Sequence, residues 1–168
     1  MPHIQALFSN IYFLAFLSAI VALGLSLRMF PVIIHTVRTK NLMDEPGDRK
    51  IHAAKIPTMG GVGLFVAFTL SLILFGISVG LERPDLLKLL SLLAATMILL
   101  FLGIKDDLIA MSPKKKFIGQ LIASAIVIIM TDVRVSSFDG LLGFGELPYV
   151  ASVLFTLFVF ILAINSFN

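Results

Sequence analysis

Cysteine is absent from the 168 residues, which excludes disulfide frameworks, iron–sulfur clusters and thiolate zinc sites. Histidine is scarce at three, so metal chemistry here would fall to hard oxygen donors. Charged residues are few as well, at 14% against 58% hydrophobic. A soluble domain of this length has too much surface per volume to hide that apolar excess, and the natural solvent is a bilayer. No internal repeat, coiled-coil heptad or low-complexity tract interrupts the chain. Residues 1–10 contain no lysine or arginine, and the apolar run after them is too long for a signal-peptide h-region.

What the chain has is apolar runs. Five segments read as spans: Ile11–Ile34 (interrupted by Arg28), the uncharged stretch Ile56–Leu81, Leu89–Ile104, Phe117–Thr131, and a last one from about Leu147 onward. A membrane helix needs roughly 20 residues, so the third and fourth must borrow flanking positions. Each must be helical, because backbone groups in hydrocarbon are satisfied only within the segment. The fold class is therefore all-α, a polytopic membrane helix bundle treated as one domain over residues 1–168. The basic residues set the topology. Arg38, Lys40, Arg49, Lys50 and Lys55 lie between spans one and two, and Lys105 and Lys114–Lys116 between three and four. The positive-inside rule puts both loops, about 35–57 and 105–116, in the cytoplasm and the N-terminus outside. On the opposite side, "SSFDGLLGFGELP" (Ser136–Pro148) is glycine-rich and reads as a short hairpin.

The net charge is only +3, and its distribution carries more than its total. Asp106 and Asp107 close the third span. Carboxylates at a helix C-terminus are disfavoured by about 0.3–1 kcal/mol each, and two adjacent ones repel each other. Lys105 and the lysine triplet can compensate them as a solvated interfacial loop. Alternatively the pair holds a divalent cation, since magnesium takes one or two carboxylates together with substrate phosphates, with manganese the other fit.

The first basic loop, "DEPGDRKIHAAKIPTMGGVG" (Asp44–Gly63), is either a lipid-touching topology signal or a phosphate site. Pro57 fixes the backbone, and Gly60 and Gly61 permit a sharp turn or a close approach just where a helix would aim its amides at an anion. Lys114–Lys116 behind Pro113 read as an interfacial anchor or as phosphate contacts. Gln120, one turn past Lys116 on the same face, is a polar residue inside a span, with helix packing or function both open. Gly76 and Gly80 form a GxxxG step and read as close helix packing.

In order, the chain carries D-x-P-x-x-R-K-x-H (Asp44–His52), K-x-P-x-x-G-G (Lys55–Gly61, with Thr58), G-x-x-D-D (Gly103–Asp107) and P-K-x-K-x-x-x-Q (Pro113–Gln120). This resembles the polyprenyl-phosphate N-acetylhexosamine-1-phosphate transferases, and "INSFN" (Ile164–Asn168) looks like the start of their N-x-x-N-x-x-D-G segment. The resemblance implies transfer of a sugar 1-phosphate from a UDP-N-acetylhexosamine to polyprenyl (undecaprenyl) phosphate. UMP is released, with Mg²⁺ as cofactor, at the cytoplasmic face of the inner membrane. It implies that Asp106 and Asp107 are the catalytic and metal acids, one of them a candidate base. It further implies that Arg49, Lys50, His52, Lys55, Thr58, Gly60, Gly61, Lys114 and Lys116 serve phosphates or substrate, and that Asn165 and Asn168 lie near the uridine or metal.

An acceptor phosphate is already largely ionised at neutral pH, which favours metal binding over proton abstraction for both acids. The compact "RKIHAAKIPTMGG" looks more like the N-acetylglucosamine branch than the phospho-N-acetylmuramoyl-pentapeptide transferases, which share the "PTMGG" spelling. A non-catalytic membrane scaffold and a lipid-phosphate binder are the other readings. Membrane lipids are the expected surroundings, no nucleic acid is expected, and homodimerisation stays open. The resemblance also implies that the chain is the N-terminal part of a longer enzyme, inactive alone.

Overall fold

The computed structural model describes residues 10–44, 56–143 and 145–166. Among them are five long helices: α1 (Ile11–Thr39), α2 (Gly60–Val79), α3 (Arg83–Leu108), α4 (Pro113–Thr131) and α5 (Tyr149–Ser166). The all-α expectation holds. A two-residue antiparallel ladder was not expected. Strand β1 (Met43–Asp44) pairs with β2 (Ile56–Pro57), Met43 opposite Pro57, so the chain enters and leaves segment 45–55 through one narrow gate. The Thr58 hydroxyl fastens that gate by donating to the Leu42 carbonyl at 2.6 Å.

Local chemistry explains where the helices begin and end. Asn10 caps α1, its Oδ1 accepting from the amides of Tyr12 (2.9 Å) and Phe13 (3.3 Å). Proline stands in the first turns of α3 and α4, where its missing N–H is not needed. The helix α2 stops at Gly80, whose φ of 67° is the left-handed conformation glycine tolerates, with its amide bonded back to the Gly76 carbonyl. This corrects the reading of Gly76 and Gly80 as a packing step: Gly76 is buried, but Gly80 terminates the helix and nothing approaches it.

Four helices (α1, α2, α3 and α5) are long and apolar enough to cross a membrane. With 20 residues, α2 rises about 30 Å, the thickness of a hydrocarbon core. The third span borrows flanking positions as expected, α3 taking in Arg83–Lys88 and Lys105–Leu108. By contrast α4 falls short of the same standard, because each of its eighteen-residue windows contains all of Lys114–Lys116. Wide apolar exposure on these helices, as at Phe16, Leu27, Ile77, Phe101 and Leu154, suits lipid-facing surfaces of a multi-pass membrane protein.

The chain divides into two compact units. One holds α1, α2 and the last residues of α3 from Gly103 onward. There α1 and α2 run antiparallel, with Ile33 and Phe30 set over Gly63, where an added Cβ would meet Ile33 Cδ1 at 2.9 Å. That register puts Arg28, exposed on α1, within about two turns of the level at which α2 begins, so its long side chain can reach the interface.

The other unit holds the rest of α3 with α4 and α5, around a small core of Ala95, Ala123 and Val127 with Ile98, Leu99 and Phe160 packed on it. Small residues let the helices close up. An added Cβ at Gly119 would collide with Leu102 Cδ1 and stand 3.1 Å from its Cγ. Gly119→Ala should therefore lower the thermal unfolding midpoint, by the equivalent of about 1–3 kcal/mol, and Leu102→Ala in the same chain should restore part of it. Differential scanning of the detergent-solubilised variants checks this.

The connection between α4 and α5 is the hairpin expected from its glycines. Ser137 bridges Glu146, the Phe138 amide donates to the Gly145 carbonyl at 3.1 Å, and a 3₁₀ turn covers Leu141–Gly143. It is pinned to α5. The buried Ser152 hydroxyl donates to the Val135 carbonyl (2.6 Å) and accepts from the Arg134 guanidinium (3.1 Å), while Thr156 Oγ1 accepts from the Val135 amide (2.8 Å). Arg134 also pairs with Asp132 and lies over the Tyr149 ring.

Candidate functional site

Two motifs distant in sequence meet in the first unit. Asp107, at the end of α3, accepts a 2.8 Å hydrogen bond on Oδ2 from the backbone amide of Met59. Met59 stands immediately before α2 with φ 65° and ψ 18°, and the helix has no side-chain cap of its own. The bend between Pro57 and Gly61 thus turns at Met59, through a left-handed residue, and not at the glycines. Gly60 and Gly61 are ordinary first-turn residues, and an added Cβ at Gly61 would meet nothing within 4 Å.

The contact answers part of the electrostatic question posed by the acids. Asp107 is misplaced on its own helix, at the negative end of α3, but its carboxylate lies at the positive entrance to α2. One oxygen is bound to an amide and Oδ1 remains for another partner. Asp106 is half-buried and has an interaction of its own. Adjacent carboxylates offer the hard oxygens that magnesium takes with substrate phosphates. Among the described residues no group of three or more His, Asp or Glu gathers, and two carboxylates completed by phosphate and water make a shell that magnesium accepts. The donor chemistry fits that open kind of site.

In the second unit, α4 opens at Ser112 with Lys114, Lys115 and Lys116 in its first turn and no acid among them. Cations at the positive end of a helix are as poorly placed as acids at the negative end, and the arrangement calls for an anion. Lys114 and Lys115 are exposed, while Lys116 is half-buried and engaged. Asn165, near the end of α5, is joined to Gln120 of α4 through a reciprocal amide pair. The Thr58 hydroxyl is occupied by Leu42, so its first duty is to the ladder. Arg49, Lys50, His52, Lys55 and Asn168 lie outside the described residues. Met59 is the site residue that sequence reasoning missed. Its only signal was its place between Pro57 and the glycines, where some residue had to take the turn.

Residues 89–168 match the family model described as glycosyl transferase family 4. Over that segment the chain is similar to glycosyl transferase family 4. The matched segment includes both aspartates, the lysine triplet and the Gln120–Asn165 pair. A probable undecaprenyl-phosphate N-acetylglucosaminyl 1-phosphate transferase of Bacillus subtilis (strain 168) is 29% identical over 120 residues, covering 71% of this chain and 32% of the relative. The undecaprenyl-phosphate alpha-N-acetylglucosaminyl 1-phosphate transferases of Salmonella typhi and Salmonella typhimurium are each 29% identical over 157 residues, covering 90% of this chain and 40% of theirs. The chain thus spans about a third to two fifths of the length of these curated relatives. No solved structure matches.

Proposed function

We propose that this chain carries part of an enzyme that transfers N-acetylglucosamine 1-phosphate from UDP-GlcNAc to undecaprenyl phosphate at the cytoplasmic face of the plasma membrane. A non-bridging oxygen of the lipid phosphate attacks the sugar-bearing phosphorus of the UDP-sugar. A new P–O bond forms, the P–O bond to UMP breaks, and UMP leaves with the electron pair. Such a transfer needs positioning and charge neutralisation more than covalent machinery. A magnesium ion at Asp106 and Asp107 would supply Lewis-acid stabilisation of the phosphoryl oxygens. The chain's own residues do the rest. Asp107 holds the bend before α2, and the cations of the α4 first turn attract phosphate. The acceptor needs no base, being ionised already.

The observation that carries this reading is the Asp107–Met59 hydrogen bond, which joins the G-x-x-D-D segment to the K-x-P-x-x-G-G segment in one unit. The sugar named is the one borne in the names of the relatives. The test is exchange of labelled UMP into UDP-GlcNAc, dependent on undecaprenyl phosphate and magnesium. It is run with the chain as it stands and within the reading frame that contains it. Exchange with neither would sink the proposal, and exchange with UDP-N-acetylmuramoyl-pentapeptide alone would move it to the muramoyl branch.

A further inference from the structure

Gln120 is 7% exposed, the one amide side chain buried among the described residues. It lies two turns into α4, past the lysines. Its Oε1 accepts from Asn165 Nδ2 at 2.8 Å, and its Nε2 donates to Asn165 Oδ1 at 3.4 Å. Asn165 Nδ2 gives its second hydrogen to the Ile161 carbonyl of its own helix, at 2.8 Å. Although Asn165 is exposed, both of its N–H donors are therefore committed inside the protein. A nucleotide base or phosphate approaching Asn165 finds no donor to use.

We infer that Gln120 and Asn165 are positioning residues: their amide pair fixes the register of α5 against α4 and so sets where the last described turn of α5 lies against α4. Two observations make this more than generic packing. Between spans, small and apolar residues already provide close contact, as Ala123, Val127 and Phe160 do here, so a buried amide is not needed for adhesion. A paired amide does add direction, since it satisfies itself at one register only and an orphaned one is costly. The far end of the same helix pair is locked too, through Ser152 and Thr156 to Val135 and Arg134, so α4 and α5 are held at both ends.

As a statement about catalysis this rests on the proposed transfer, and the test separates the two. Four variants are needed: Gln120→Leu, Asn165→Leu, the Leu/Leu double, and the amide exchange Gln120→Asn with Asn165→Gln. Asn165→Leu orphans the buried Gln120 amide and should lower the thermal midpoint more than Gln120→Leu, which leaves only the exposed Asn165 without its partner. The Leu/Leu double should regain the midpoint yet transfer at least tenfold more slowly than wild type, at an unchanged KM for the UDP-sugar. The exchanged pair should recover part of the lost rate, which a purely apolar packing role would not predict. A Leu/Leu double with wild-type transfer overturns the inference, and so does a tenfold rise in KM on Asn165→Leu, which would mean direct substrate contact. Hydrogen exchange over residues 161–166 decides independently of any activity: Gln120→Leu must lose protection there, and unchanged protection overturns the inference while leaving the transferase reading untouched.

Discussion

On the proposed transfer with magnesium at the two acids, Asp106→Asn and Asp107→Asn will each reduce sugar-phosphate transfer by about a thousandfold or more. A metal at a phosphoryl group supplies several kcal/mol of transition-state stabilisation, and each 1.36 kcal/mol is worth tenfold in rate. An amide carries no charge with which to hold the ion, and neighbouring lysines cannot substitute for one. The two acids differ in what else they do, and Asp107 allows its structural and chemical duties to be separated. Asparagine keeps a carbonyl oxygen that can accept from the Met59 amide, so Asp107→Asn should leave the bend and the thermal midpoint in place while transfer collapses. Asp107→Ala removes the acceptor as well, and the midpoint should fall by the equivalent of about 1 kcal/mol, the net value of such a hydrogen bond. Transfer assays and thermal scans on the same preparations check both. Wild-type rates for the two asparagine variants would favour a scaffold whose charges only set topology.

The legible part of this molecule was the part written in hydropathy. Five apolar runs became five helices, because a bilayer leaves the backbone no other way to satisfy itself. Boundaries were less visible. The helix α3 runs through Lys105, Asp106 and Asp107, since charged residues at a membrane surface need not end a helix. The Gly76–Gly80 spacing looked like packing and proved to be a stop, because the same residue serves close approach and left-handed capping, and spacing alone does not distinguish them. The ladder of Met43–Asp44 with Ile56–Pro57 had no signal at all, two residues being too few to show alternation. In the candidate site, the residue types spoke plainly and their partners did not. The sequence marked Asp107 as a charge in need of compensation, but a backbone amide has no letter, and Met59 reads as one more apolar residue before a span. Gln120 was visible as an oddity inside a span, whereas its pairing with Asn165, 45 positions away, depended on how two helices meet.

Because the bend turns on Met59, a change that replaces neither acid should be as damaging as one that does. Met59→Pro locks φ near −65°, whereas the observed value is +65°, and it removes the N–H that Asp107 accepts. Both the direction of entry into α2 and the tie to α3 go at once. Transfer should fall as far as in Asp107→Asn, and hydrogen exchange across residues 56–63 should rise. Met59→Gly is the counterpart. Glycine adopts the left-handed conformation without penalty and keeps the N–H, so this variant should retain the Asp107 contact and transfer within a few-fold of wild type. The pair of results reads the backbone alone, since both replacements discard the methionine side chain. If glycine and proline proved equally inactive, the thioether chain of Met59, rather than its amide, would be what the site requires. If both were fully active, the junction of the two motifs would have no part in the chemistry.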